Sequence, residues 1–177
     1  MFNVISRPPM YDPEAVQHMR DELVAVGFTE LLTREEVDKA IKVNDDKTVL
    51  VMINSVCGCA AGSARPGISL ALQHATIPDK LYTGFAGMER EAVDRIRQYI
   101  TNFPSSSPSI ALFKNGELIY FMQRYDIEGR TRAEIAETLK EVFDELCTNK
   151  GPSISPEDFA KVEYAKMCGS KIPLFNG

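Results

Sequence analysis

Hydrophobic and polar positions alternate along the chain with two periods, and the switches between them lay out the elements. Val16, Met19, Leu23 and Val24 recur at helical spacing between Asp12 and Val26, which predicts an amphipathic helix that stops at Gly27. Thr33-Arg34-Glu35-Glu36 is a capping-box pattern, so a second helix runs to about Ile41. The polar turn Lys42 to Lys47 follows. Thr48 to Ile53 is then continuously apolar and β-branched, as expected of a strand covered on both faces. Ala60 to Ala75 reads as a helix whose first turns are broken or kinked by Pro66. Leu81 to Ala86 is a short strand, and Glu89 to Thr101 a helix with Val93, Ile96 and Ile100 on one face. Phe103 to Pro108 is a loop. Ser109 to Lys114 and Glu117 to Met122 are strands joined by the hairpin signal Asn115-Gly116. Thr131 to Cys147 carries Ile135, Leu139, Val142, Phe143 and Leu146 at core spacing. Gly151-Pro152 opens a tail with one more candidate helix, Pro156 to Met167.

Two N-terminal helices are thus followed by βαβα, a β-hairpin and a helix. That order implies an α/β fold with a central mixed β-sheet and helices on both faces. A chain of 177 residues, 44% hydrophobic and 25% charged, is enough for one such domain with a sizeable core. We expect a domain over 1–147 and a C-terminal extension with a short helix over 148–177. The net charge of −5 and the absence of a Lys/Arg run argue against a nucleic-acid partner. The longest apolar run, Val49 to Ile53, is far too short to cross a bilayer, and MFNVISRPPMYDPE has no apolar stretch behind a basic one. No membrane partner and a cytoplasmic location are therefore expected. Thiols are kept reduced there, which favours catalytic or metal-binding roles for close cysteines.

The candidate chemistry lies in NSVCGCAAGSARPG, directly after the first core strand, where Cys57 and Cys59 flank Gly58. As a structural clip the pair is poor. Cα atoms two residues apart are separated by roughly 5.5–7 Å, at the upper edge of disulfide range, and so small a ring removes little unfolded-chain entropy. As metal ligands the two need company from Cys147, Cys168, His18 or His74, and none of these shows ligand spacing to another. His74 reads more simply as the last turn of a helix, and His18 as a surface helix residue. The position itself favours a redox dithiol. At the start of a helix, unpaired N–H groups and the helix dipole stabilise a thiolate. Cys57, with the amide of Cys59 in reach of its sulfur, is the expected nucleophile. Gly58 clears the approach path, and Cys59 resolves. Farther along, SSSPSIALFKNGE places Pro108 just before a strand, where proline is tolerated. By frequency alone, the Ser107–Pro108 bond is an ordinary trans one.

The βαβα–hairpin–α order, with a cysteine motif after the first core strand and a proline before LFKNGE, resembles the thioredoxin fold. NSVCGCAAGSARPG, SSSPSIALF and the Ile127-Glu128-Gly129 segment before the last helix resemble, more narrowly, the bacilliredoxin family. The match covers roughly Pro9 to Cys147. It implies a thiol–disulfide oxidoreductase with no tightly bound cofactor. Such an enzyme uses bacillithiol as co-substrate and removes this low-molecular-weight thiol from bacillithiolated client proteins, assisted by a disulfide reductase. It also implies Cys57 as nucleophile, Cys59 as second cysteine and a cis Pro108; the Ser107 backbone, just before Pro108, is then expected to accept substrate as an extended strand-like contact. Disulfide isomerase activity is likewise attributed to the family. Bacillithiol carries carboxylates, so a cation near the sulfur favours its binding. Arg65 and Arg124 are candidates by proximity, against the plainer reading of surface charge.

The chain departs from ordinary thioredoxins in two ways. Val56 rather than tryptophan precedes the motif, and Thr48 to Ile53 holds no carboxylate to serve Cys59 as a base. Cys168 pairs with Cys147, acts as an extra resolving thiol, or is simply a free or buried cysteine. Two other classes remain: a Cys-based metal module gripping zinc or Cu(I), and an interaction protein whose thiols are incidental.

Overall fold

A computed structural model describes residues 6–162 and 173–177. The first helix, α1, runs over Pro13–Val24, with Asp12 as N-cap and Pro13 in its first turn. It is shorter than its periodicity predicts, and Val24 points to solvent at 46% exposure, while Val16, Met19 and Leu23 are buried. Gly27 ends the turn at φ +108°, a conformation that strains any residue with a Cβ. A two-residue strand, β1 (Thr29–Glu30), follows that hydrophobic patterning does not reveal. The Thr33/Glu36 capping box then opens α2 over Arg34–Ile41.

The central strand β2 (Thr48–Asn54) is buried along its whole length. Gly58 and Cys59 are already helical, Ala60–Ala64 forms a wide π-helical turn, and α3 continues over Arg65–Ala71. The helix predicted to reach Ala75 thus ends four residues early. Gln73 and His74 close turns onto Leu70 and Ala71, which frees Thr76–Ile77 (β3) to pair with Asn149–Lys150 (β7). β4 (Lys80–Phe85), α4 (Arg90–Tyr99), β5 (Ser109–Lys114), β6 (Glu117–Met122), a one-turn α5 (Arg124–Ile127) and the long α6 (Arg132–Leu146) come in between. Asn115 and Gly116 both take positive φ, which fits the tight turn of the β5–β6 hairpin. In the tail, α7 covers only Pro156–Phe159, and the rest of the predicted helix runs into residues outside those described.

The main sheet has the order β1-β4-β2-β5-β6. β1, β4 and β2 are parallel, while β5 and β6 run antiparallel to their neighbours. This is the mixed sheet of a thioredoxin-like fold; α1 is an N-terminal extension, while α2, expected to belong with it, connects β1 to β2, because the short β1 joins the sheet. Alternate residues of β2 feed two cores. Leu50 and Met52 pack with Leu23, Ile68, Ile135, Leu139 and Phe143 on the face covered by α1, α3 and α6. Val49, Val51 and Ile53 pack with Val37, Ile41, Val93 and Ile96 on the face covered by α2 and α4. Residues beyond Cys147 return to the first core, where Ile154, Phe159 and Val162 pack and Ser153 Oγ donates to the Val26 carbonyl.

α3 and α6 approach closely at Gly67, where an added Cβ would lie 2.8 Å from Ile135 Cγ2. Gly67→Ala is therefore expected to destabilise the protein by about 1–3 kcal/mol in denaturant titration, with part of the loss recovered when Ile135 is also shortened to valine.

Candidate active site

The chain turns out of β2 at Asn54 and enters a helix at Gly58, which leaves Cys57 in the N-cap position. Its carbonyl accepts from the amides of Ala60 (3.1 Å) and Ala61 (3.2 Å). Cys57 and Cys59 are both half-buried, with their sulfurs 2.7 Å apart. Burial pushes the Cys57 thiol up. That effect is outweighed by hydrogen bonds to its sulfur from Cys59, the Ser55 hydroxyl and the Ala60 amide, and by the positive charge of Arg124, so its pKa falls below the ordinary thiol value. The helping amide is that of Ala60, not of Cys59 as expected from position. With Gly58 as the first helical residue, Ala60 is the third, and its N–H is among those that turn back to an N-cap side chain. Cys59 moves the other way. Burial, and then the hydrogen bond to Cys57 and its charge, push it up to about 11.

A buried ion pair fixes the backbone that delivers Cys57. Arg65 is fully buried, and its Nε donates to Glu22 of α1. Its Nη1 donates to Asn54 Oδ1 at 3.0 Å and to the Ser55 carbonyl at 2.9 Å. Asn54 in turn accepts from the Ser55 amide and donates to the Met19 carbonyl. Arg65 is thus neither the surface charge nor the substrate-binding cation considered for it; it is spent inside the protein. Glu22, Asn54 and Ser55 escape a reading that looks for nucleophiles. The available signal is an acid on an otherwise apolar stripe (Met19, Glu22, Leu23, Val26) and a lone arginine among Ala, Gly and Ser.

The serine loop arrives at the same end of the sheet. Ser109 pairs with Ile53, so Ser107 and the buried Pro108 lie across from the residues that lead into Cys57. The Ser107–Pro108 bond is cis, as the resemblance implies. Ile110 pairs with Met122, which brings the start of α5 to this corner, where the Arg124 amide donates to Ser106 Oγ. The Arg124 side chain, about half exposed, pairs through Nε with Glu128 at 2.5 Å.

The remaining candidates lie elsewhere. Cys147 is buried where α6 ends, and burial raises its thiol to about 11, opposed by a hydrogen bond with Thr48. Thr48 begins β2 and Cys57 follows its end, so the seven-residue strand, roughly 20 Å long, separates the two thiols. Cys168 lies outside the described residues. His74 is not in the last turn of a helix, as expected, but in the loop beyond it, with its ring 2.8 Å from Asp144. His18 is an exposed residue of α1. Among the described residues no group of three or more His, Cys, Asp or Glu is arranged to hold a metal, and no helix is long and apolar enough to cross a membrane.

A half-buried dithiol at a helix start, beside a cis-proline turn on this sheet, defines a thioredoxin-like thiol–disulfide oxidoreductase. The family model described as "Disulphide isomerase" matches residues 11–147. A bacilliredoxin of Cytophaga hutchinsonii is 49% identical over 137 residues, 77% of this chain and 100% of that protein. One of Salinibacter ruber is 45% identical over 165 residues, 92% of this chain and 95% of that protein. Among solved structures, mitochondrial thioredoxin 3 of Saccharomyces cerevisiae is 19% identical with a TM-score of 0.46, covering 69% of this chain and 98% of its own. The chain belongs to the bacilliredoxin family.

Two outcomes follow from the site. Glu22→Gln leaves a buried guanidinium without its counter-charge and is expected to cost about 3–5 kcal/mol in chemical denaturation, whereas Glu22→Leu with Arg65→Met costs less than either change alone. In a pH series of alkylation rates, Cys57 reaches half-maximal reactivity below the pH of a free thiol and Cys59 only near 11, and peptide mass mapping tells the two apart.

Proposed function

We propose that the protein removes bacillithiol, or a similar small thiol, from mixed disulfides on client proteins, with Cys57 as nucleophile and Cys59 as resolving thiol. The observation that carries this reading is the division of labour between adjacent sulfurs: one is biased towards the anion and the other is held as a thiol. The Cys57 thiolate attacks the bacillithiol sulfur of the client's mixed disulfide. A Cys57–bacillithiol disulfide forms, the client's S–S bond breaks, and the client sulfur leaves as a thiolate that takes a proton from solvent. This step is an exchange with no net oxidation.

Either of two routes then frees Cys57. A second bacillithiol thiolate attacks the bacillithiol sulfur and leaves as the symmetrical bacillithiol disulfide, returning Cys57 as thiolate. Alternatively, Cys59 gives its proton to solvent and attacks the Cys57 sulfur, expelling bacillithiol as a thiolate and closing a Cys57–Cys59 disulfide. A disulfide reductase must then supply two electrons and two protons. Gly58 leaves the approach to the sulfurs open, and the Ser107 backbone beside Pro108 receives the client as an extended segment. Bacillithiol is thus a co-substrate rather than a bound cofactor, and the chemistry suits a reducing compartment such as the cytoplasm. A second reading, rearrangement of disulfides within a client, is supported by the description of the matching family and uses the same first attack.

With a bacillithiolated model protein, Cys57→Ala is expected to abolish bacillithiol release and Cys59→Ala to retain part of it, both followed by mass spectrometry. Full release by the Cys57 variant would sink the assignment.

A further inference from the structure

Of the two candidate cations, Arg65 and Arg124, Arg124 is the one that the fold leaves available at the dithiol. Its position is set by the main chain: it begins α5 directly beyond β6, and its amide is docked on Ser106 of the loop that precedes Pro108. Its charge reaches both sulfurs, lowering Cys57 and opposing the rise at Cys59. Its guanidinium is engaged at Nε alone, by Glu128, and among the described residues neither Nη nitrogen has a hydrogen-bond partner. Glu128 ends the same short helix, is about half exposed, and its negative charge also bears on Cys59. Arg65, the other arginine near the motif, is closed off inside the protein.

Resting on the reading above, we propose that Arg124 selects small thiols that carry a carboxylate, and that Glu128 is a built-in competitor for it. The guanidinium has five N–H donors in a planar fork and Glu128 takes one of them, so an Nη edge is free for a second carboxylate. A ligand carboxylate placed there is bound by the same charge that reaches both sulfurs. Glu128, one helical turn away, holds the guanidinium in the empty site and repels anions that fail to reach the fork. A cationic ligand meets the reverse field: it is repelled by Arg124 and drawn to Glu128.

The test uses the reduced full chain and three symmetrical disulfides: dithiodiglycolate (anionic), 2-hydroxyethyl disulfide (neutral) and cystamine (cationic). The rate of Cys57 modification, as the adduct or as the Cys57–Cys59 disulfide that follows from it, is read by acid quench and mass spectrometry. Each rate is divided by that of the same disulfide with free N-acetylcysteamine, a neutral thiol that forms a distinct mixed disulfide with all three, which removes intrinsic electrophilicity. The normalised dithiodiglycolate-to-cystamine ratio is expected to fall about fivefold in Arg124→Gln, the size of one exposed charge contact, and to rise in Glu128→Gln. Raising the salt concentration compresses the ratio in the unmodified protein. Loss of the Arg124 charge also raises the Cys57 pKa, but that slows all three disulfides alike and leaves the ratio unchanged. An unchanged ratio in Arg124→Gln, or a lower one in Glu128→Gln, overturns the proposal. Absence of both an adduct at Cys57 and a Cys57–Cys59 disulfide with all three disulfides overturns the nucleophile assignment itself, and this inference with it.

Discussion

The buried contact between Arg65 and Glu22 ties together three elements that local forces do not hold in register. α1 contributes the carboxylate, the start of α3 the guanidinium, and the end of β2 the Asn54 and Ser55 acceptors. Two charges without water are stable only when each has its partner and its hydrogen bonds. The geometry of the whole corner is therefore specified sharply, because displacing any one element strands a charge. What this holds still is the two-residue approach to Cys57. The sulfur's environment depends on donors from Ser55 before it and Ala60 after it, and both are placed by the same clamp and the helix start.

The rest of the site is assembled by sheet register. β2 and β6 end, and β5 begins, at the same end of the sheet, and each delivers one component: the dithiol, the Arg124–Glu128 pair and the cis-proline turn, respectively. Because β5 is antiparallel to β2, the residues that enter β5 lie beside the residues that leave β2. Segments 50 positions apart in the chain thus become neighbours without a long ordered loop. Both faces of the sheet are sealed by helices, so the polar chemistry is confined to this rim.

Much of the scaffold was legible because it follows from periodicity. The apolar run Thr48 to Ile53, the Asn115-Gly116 turn, the capping box at Thr33 and the core spacing from Ile135 to Leu146 are local signals, and each corresponds to an observed element. What stayed hidden is non-local. The two-residue strand β1 has too few positions for any period, and α3 ends early because Thr76–Ile77 pairs with a strand more than 70 residues away. Arg65 illustrates the limit. An arginine is ordinarily a surface residue, and only the carboxylate supplied by α1, 43 positions earlier, makes its burial tolerable. Cys57 and Cys59 were legible as a pair, but which amide serves the sulfur depended on the helix register.

The raised pKa of Cys59 has a kinetic meaning. Its proton is held by burial together with the negative charge and the hydrogen bond of Cys57. Once Cys57 is tied up in a disulfide, that charge is gone, and so is the thiolate that accepted the hydrogen bond. Of the contributions that raise Cys59 most, burial then remains, while Arg124 continues to favour the anion. Cys59 is thus held as a thiol while its neighbour is free and becomes easier to ionise when its neighbour is occupied, because two of the influences that hold its proton vanish with the Cys57 thiolate.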